Sequence, residues 1–465
     1  MNDQRPYECC DVTPRMLTRR DLLKTVSAGF GWLAFQGLAG RAAASSLALQ
    51  APHFAARAKR VIFLCMQGGP SHMDTFDYKP RLQQDGGRAG GGKGGKNGRL
   101  VGSPFRFAQR GQSGLWISDV FPKVAEHADE LCLIRSMTTD IPNHPQAFVQ
   151  LHTGSTNFIR PSLGAWTLYG LGSENENLPG FVTISPPIQF GSQNYGSAFL
   201  PAVYQGTRIG AQRGDDAGSS HVSDMHNPDL PTELQRKQLD LVQAMNRDLL
   251  SASPNREIEG VIESFELGFK MQGELPRVLD TSKESPETLK LYGIGAPATD
   301  NFGKQCLMAR RLSAAGVRFV EVCHGGWDQH NNLQARLKAN GAATDQPIAA
   351  LLTDLQAHGL LKDTLVVWGG EFGRTPGNAR QDGRGHNARG YTMWLAGGGV
   401  KGGFSYGATD ELGAQAVENK VHVHDLHATI LGLLGLDHEK LTYRYAGRDF
   451  RLTDVSGRIV KEIFA

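Results

Sequence analysis

Apolar residues in this chain gather into short unbroken runs of strand length, separated by longer stretches in which they recur at helical spacing. The runs are Arg60-Val-Ile-Phe-Leu-Cys-Met66, Leu131-Cys-Leu-Ile-Arg135, Phe181-Val-Thr-Ile-Ser185, Val317-Arg-Phe-Val-Glu-Val-Cys323, Asp363 to Trp368 and Tyr391 to Gly398. A continuous apolar run without polar alternation is how a parallel strand covered on both faces reads. Helical spacing marks the region around Val120 to Asp129, a helix ending at Thr153-Gly154, Phe302 to Ala315, Asn331 to His358 and Val423 to Leu436. Between Thr232 and Gln272, Leu239, Leu241, Val242, Met245 and Leu249 and then Ile258, Val261, Ile262, Phe265 and Phe269 predict two helices broken at Ser-Pro-Asn. Strands alternating with helices predict an α/β fold with a mostly parallel central sheet, helices on both faces and a helical insertion at about 230–300 packed on the sheet. Pro187 to Asp229 shows no periodicity and reads as an extended loop region.

Composition adds the class and the address. The chain has 465 residues, 40% hydrophobic and 20% charged, as a soluble globular protein has. A net charge of +3 with dispersed basic residues gives no nucleic-acid footprint. Thr18-Arg19-Arg20-Asp21-Leu22-Leu23-Lys24, an apolar segment from Val26 to Ala39 and Ala42-Ala43-Ala44 predict a twin-arginine signal over 1–44. The apolar segment is shorter than the ~20 residues a bilayer span needs, and no later stretch is long enough. The expected mature chain is a single domain over 45–465, exported to the periplasm or beyond the cell, with a glycine-rich surface loop at 85–98. Cys9 and Cys10 fall in the leader, Cys306 in a helix, and Cys65, Cys132 and Cys323 inside strand runs, where cysteine packs as a small hydrophobe. No Cys-x-x-Cys pair occurs.

Polar chemistry begins where the strands stop. Met66 leads into Gln67-Gly-Gly-Pro-Ser-His72-Met-Asp74, Arg135 into a turn-rich stretch with Asn143-His144, Cys323 into His324-Gly-Gly-Trp-Asp328-Gln-His330, and Trp368 into Gly-Gly-Glu371-Phe-Gly-Arg374. A later turn carries Gly385-His386. Ligands of open parallel sheets bind at the carboxyl ends of strands, so these loops are expected to converge. Histidine with Asp and Glu is a ligand set for divalent zinc, manganese, magnesium or calcium. The candidate ligands are Asp74, His324, Asp328, His330, Glu371 and His386. Arg374 is placed to hold an anionic oxygen by paired hydrogen bonds. His424 and His427 flank Asp425, a natural helix cap.

In the order of these motifs the chain resembles the alkaline phosphatase and sulfatase superfamily, and more closely its exported sulfatase-like group called domain of unknown function 1501. The carrying stretches are Met66 to Asp77, Asn143-His144 with Thr153-Gly154, His324 to His330, Gly369 to Pro376 and Asp425 to Gly435. The resemblance implies an alkaline-phosphatase-like fold, a nucleophile at a helix start near His144, and divalent metal at several strand ends. The sulfatase pattern closes one strand with an Asp-His pair, and this chain has Glu371-Phe372 there. The Cys or Ser followed by x-Pro-x-Arg that formylglycine formation requires is missing, which argues against a conventional sulfatase and leaves Ser136, Thr138, Thr139, His144 or a metal-bound water as the attacking group. Two functions are expected from these residues. One is a metal-dependent hydrolase of phosphate or sulfate esters acting on an anionic small molecule or glycan, with His144, Asn143 and Arg374 as catalytic candidates. The other is an exported binding or assembly protein that keeps the fold without the reaction.

Overall fold

A computed structural model describes residues 46–89, 99–210, 229–253, 255–378 and 382–465. The expected leader and most of the expected glycine-rich loop lie outside the described residues.

Each apolar run becomes a strand of one nine-stranded sheet. Its strands are β1 (Arg60–Met66), β2 (Leu131–Thr138), β3 (Phe181–Ile184), β4 (Thr207–Ile209), β5 (Phe319–His324), β6 (Thr364–Gly369), β7 (Tyr391–Ala396), β8 (Phe404–Tyr406) and β9 (Val421–His422). Across the sheet they run β8-β2-β7-β6-β1-β5-β3-β4, with β9 beside β2. β1 lies between β5 and β6 and is parallel to both. β7 is antiparallel to both its neighbours, and every other pairing is parallel. The carboxyl ends of β1, β2, β5 and β6 therefore open on the same edge.

The helices are α1 (His144–Thr153), α2 (Leu163–Leu171), α3 (Thr232–Ala252), α4 (Arg256–Leu279), α5 (Asp300–Ala314), α6 (Leu333–Ala357) and α7 (Val423–Leu433). Side chains of β1 alternate between two cores. Ile62, Leu64 and Met66 pack with α5 and α6 through Leu307, Leu312, Leu337 and Leu351. Val61, Phe63 and Cys65 pack with α1, α2 and α7 through Leu151, Trp166 and Ile430. Each fully buried aliphatic side chain contributes roughly 1.5–3 kcal/mol, so helices cover both faces as the unbroken apolar runs predicted. Four cysteines, Cys65, Cys132, Cys306 and Cys323, are buried free thiols.

Three local expectations differ. The region around Val120 to Asp129 forms 3₁₀ turns over Val124–Glu130, interrupted at His127, because the buried Asp345 carboxylate accepts the N–H groups of Lys123 and Val124 and fixes the entry. Within the stretch read as loop, Thr207–Ile209 adds edge strand β4, stabilised by pairing to β3 and not by its own periodicity. The insertion meets the main core through Met271, Leu275 and Leu279 of α4, and Gly260 near the start of that helix lies against Pro201 and Ala202, whereas Leu241 and Met245 of α3 remain 65% exposed.

Candidate metal centre at the strand ends

Gly68, just past β1, is where three strand-end loops meet. Its φ of +112° suits glycine, and a Cβ there would stand 2.6 Å from the Asp328 backbone nitrogen. Its N–H donates to both Glu371 oxygens at 3.0 and 3.1 Å. Trp327 N–H donates to the Gln67 carbonyl at 3.2 Å, and its buried ring stacks on Phe121 beneath the loops. His386 arrives from farther along the chain, through a short antiparallel pairing that sets it opposite Arg374.

The result is a convergence on one oxygen. Asp328 Oδ1 lies 2.6 Å from Arg374 Nη2, 3.0 Å from His330 Nε2, 3.2 Å from His144 Nε2 and 3.3 Å from His386 Nε2. His330 Nε2 and His386 Nε2 are themselves 2.7 Å apart. On its other side the His144 ring places Nδ1 2.5 Å from Glu371 Oε1. Glu371 is fully buried, whereas the Asp328 side chain is 43% exposed, so the cluster opens to solvent on the Asp328 side.

The protons in this cluster are constrained. His386 Nδ1 faces the Pro142 carbonyl at 2.9 Å and must donate to it, which leaves a lone pair on Nε2 when the ring is neutral. That lone pair points toward another imidazole nitrogen and a carboxylate oxygen. The buried His144 Nε2, although 3.2 Å from Asp328, is out of line for a hydrogen bond. An imidazole that donates one ring N–H to a carbonyl while its other nitrogen faces further donors of electron pairs has the arrangement of a metal ligand with its outer partner in place. These residues fit a divalent cation held by Asp328, His330 and His386, with Glu371 and His144 alongside. Without a cation, protons must take its place. Burial pushes His144 down, but Asp328 and Glu371 outweigh it and hold the ring up at about 9. Burial likewise pushes Asp328 up, but His144, His386 and Arg374 hold it far below the usual carboxylate range.

The structure separates two expected ligands from this group. Asp74 is buried in a two-point pair with Arg384, at 2.6 and 3.0 Å, and also accepts from Ser71. A carboxylate so fully used by a guanidinium is a loop anchor. His324 points to the other side of its loop, where Nδ1 accepts from the Trp327 indole at 3.1 Å and burial pushes the ring down to about 4. Arg374 also does not stand free for an oxyanion. It is buried, and it donates to the Gly68 and Gly69 carbonyls as well as to Asp328, so it clamps the β1 and β5 loops together. Asn143 is exposed at the start of α1 and its side chain leaves the helix uncapped.

Sequence reasoning missed Arg384, two positions before His386, although a guanidinium in a turn shared with a buried aspartate is a recurring anchor. It also did not foresee that the Phe372 ring would stand 4.6 Å from His144 and 4.8 Å from His386, walling the cluster. The cap of α7 is His422 and not Asp425: the His422 ring accepts the His424 N–H at 3.2 Å, and Asp425, inside the first turn, completes a capping box by accepting the His422 N–H at 2.8 Å.

Among solved structures the chain is similar to the PsFucS1 sulfatase from Pseudoalteromonas sp., with 12% identity, 82% of this chain and 69% of that one covered, and a TM-score of 0.35. It is similar to the alkaline phosphatase from the Antarctic bacterium TAB5, with 10% identity, coverage of 82% and 99%, and a TM-score of 0.34. Likeness to the lipoteichoic acid synthase LtaP from Listeria monocytogenes has 9% identity, coverage of 87% and 78%, and a TM-score of 0.36. No curated protein sequence matches the chain. The family model described as protein of unknown function (DUF1501) matches residues 58–464, which takes in every strand of the central sheet and every residue of the cluster, and the chain belongs to that family.

Proposed function

We propose that this protein is an exported, metal-dependent hydrolase of phosphate or sulfate esters, acting on an anionic small molecule or glycan. The observation that carries the reading is the meeting of three imidazole Nε2 atoms on Asp328 Oδ1, with His330 and His386 2.7 Å apart. Asp328, His330 and His386 would hold the cation, which when bound supplies a Lewis acid for the ester oxygen and lowers the pKa of water. Imidazole-rich ligation favours zinc over manganese, magnesium or calcium.

The chain's own groups divide the remaining work. His144 is the first residue of α1, so the positive end of the helix dipole lies beside its ring and favours an anionic substrate there. With Glu371 on Nδ1, the ring is oriented to hold or return a proton at Nε2, beside Asp328. Asn143, exposed beside it, offers an amide donor to a substrate oxygen. Arg374 fixes the Asp328 side chain and the Gly68-Gly69 turn rather than touching substrate.

One observation favours a second reading, a binding or assembly protein without turnover: the apolar Phe372 ring stands against His144 and His386, at the place where the resemblance expects a histidine. Metal analysis of the exported protein combined with assays on aryl phosphate and aryl sulfate esters separates the two. The hydrolase reading expects bound divalent metal and turnover lost in Asp328→Ala. Bound metal with no turnover above that variant supports the second reading, and absence of metal sinks both the centre and the hydrolase.

A further inference from the structure

β5 carries one carboxylate on an otherwise apolar inward face. Glu321 is fully buried between Phe319 and Cys323, beneath α1. Its Oε2 accepts from Thr183 Oγ1 at 2.7 Å and Asn194 Nδ2 at 2.8 Å, and its Oε1 lies 2.6 Å from His152 Nε2. His152, in the last turn of α1, donates from Nδ1 to the Phe148 carbonyl at 2.7 Å. With Nδ1 committed as a donor, the 2.6 Å contact at Nε2 needs a proton or something in its place.

Two thiols complete the surroundings. Cys65 of β1 and Cys323 of β5 are register partners across a parallel pair, so both side chains stand on the same face. Cys323 thus stands beside Cys65 and two positions from Glu321 in its own strand. The ligating atoms of Cys65, His152 and Glu321 all lie within 4.8 Å of one another.

We infer that Cys65, Cys323, His152 and Glu321 form a second, buried metal site that takes one thiophilic divalent cation of the zinc class, independent of the strand-end centre. Two sulfurs, one imidazole nitrogen and one carboxylate oxygen make a closed tetrahedral set, the pattern of structural rather than catalytic zinc. Zinc bonds of ~2.0–2.3 Å put tetrahedral ligands ~3.3–3.8 Å apart, so His152 Nε2 and Glu321 Oε1, now 2.6 Å apart, separate slightly as the cation enters between them and the thiols close in. Binding releases three protons, from the two thiols and from His152 Nε2. The contacts from Phe148 to His152 and from Thr183 and Asn194 to Glu321 already stand as outer partners that fix ring tautomer and carboxylate orientation. No residue of this group is shared with the strand-end cluster, although α1 joins the two, with His144 in its first turn and His152 in its last.

The test is cobalt substitution. The protein, produced in cobalt-supplemented medium and purified after export, is expected to show a near-ultraviolet sulfur-to-cobalt charge-transfer band. The strand-end cluster contains no cysteine and cannot produce it. The band is expected to persist in Asp328→Ala and to disappear in Cys65→Ala and Cys323→Ala. X-ray absorption on the zinc-grown wild-type protein covers the case in which the cysteine variants do not fold, and a sulfur shell at ~2.3 Å is expected. Absence of the band from cobalt-grown wild type, a zinc shell of nitrogen and oxygen alone, or a Cys65–Cys323 disulfide in the mass spectrum overturns the site.

Discussion

His144 Nδ1 lies 2.5 Å from Glu371 Oε1, which ties the first residue of α1 to the loop after β6 across 227 positions of sequence. Because the same ring reaches Asp328 with its other nitrogen, it is flanked by two carboxylates and carries charge when no cation is bound.

This charge gives metal-stripped protein a pH-dependent stability. The folded value of about 9 exceeds the unfolded value of ~6.5. The contribution is therefore fully present below pH ~6.5 and is lost as pH rises through about 9. The urea midpoint of the stripped protein is expected to fall between pH 7 and 10, and the fall is expected to shrink in His144→Gln. Equal slopes in the two proteins would show that another group titrates.

Asp328→Asn removes the charge on which three imidazoles and Arg374 converge. Loss of an outer partner alone costs ~10–100-fold in metal affinity, so this substitution is expected to lower affinity by at least ~10-fold. Competition with a chromophoric chelator reads the change.

Arg384→Met leaves the fully buried Asp74 carboxylate without its ion pair. Breaking one side of a buried pair costs ~3–5 kcal/mol, and the expected loss in urea stability is of that order. The double variant Asp74→Asn with Arg384→Met is expected to recover most of it, because no isolated charge remains. A double variant no more stable than the single one would mean that Arg384 acts by packing.

Gly68→Ala places a methyl 2.6 Å from the Asp328 nitrogen and puts alanine at φ +112°. Such backbone strain costs ~1–3 kcal/mol, and because Gly68 also donates to Glu371 the shift is expected to move that carboxylate. Reduced melting temperature and weakened metal binding are expected together in calorimetry and metal titration. An unchanged metal affinity would show that the Gly68 turn does not set the centre.

The sequence by itself determined the α/β class, the strands of the sheet that carry unbroken apolar runs, and the rule that polar chemistry sits at their carboxyl ends. Those features are local: a run such as Arg60 to Met66 must be covered on both faces wherever it lies, because its apolar surface is continuous. Asp328, His330, Glu371, His386 and His144 were legible for the same reason, as polar residues placed directly after such runs or in the turns between them. Which of them meet was not legible. Asp74 and His324 stand in the same kind of loop, yet Asp74 finds Arg384 and His324 finds Trp327, because pairing depends on the direction each loop takes after its strand. The tertiary structure decided that Arg374 would be used up by the Gly68 and Gly69 carbonyls, since a buried guanidinium satisfies the backbone groups nearest it. It also decided that Cys65 and Cys323, separated by 258 positions and read as core cysteines, would become neighbours. Register between β1 and β5 is set when the sheet forms, and no local pattern contains it.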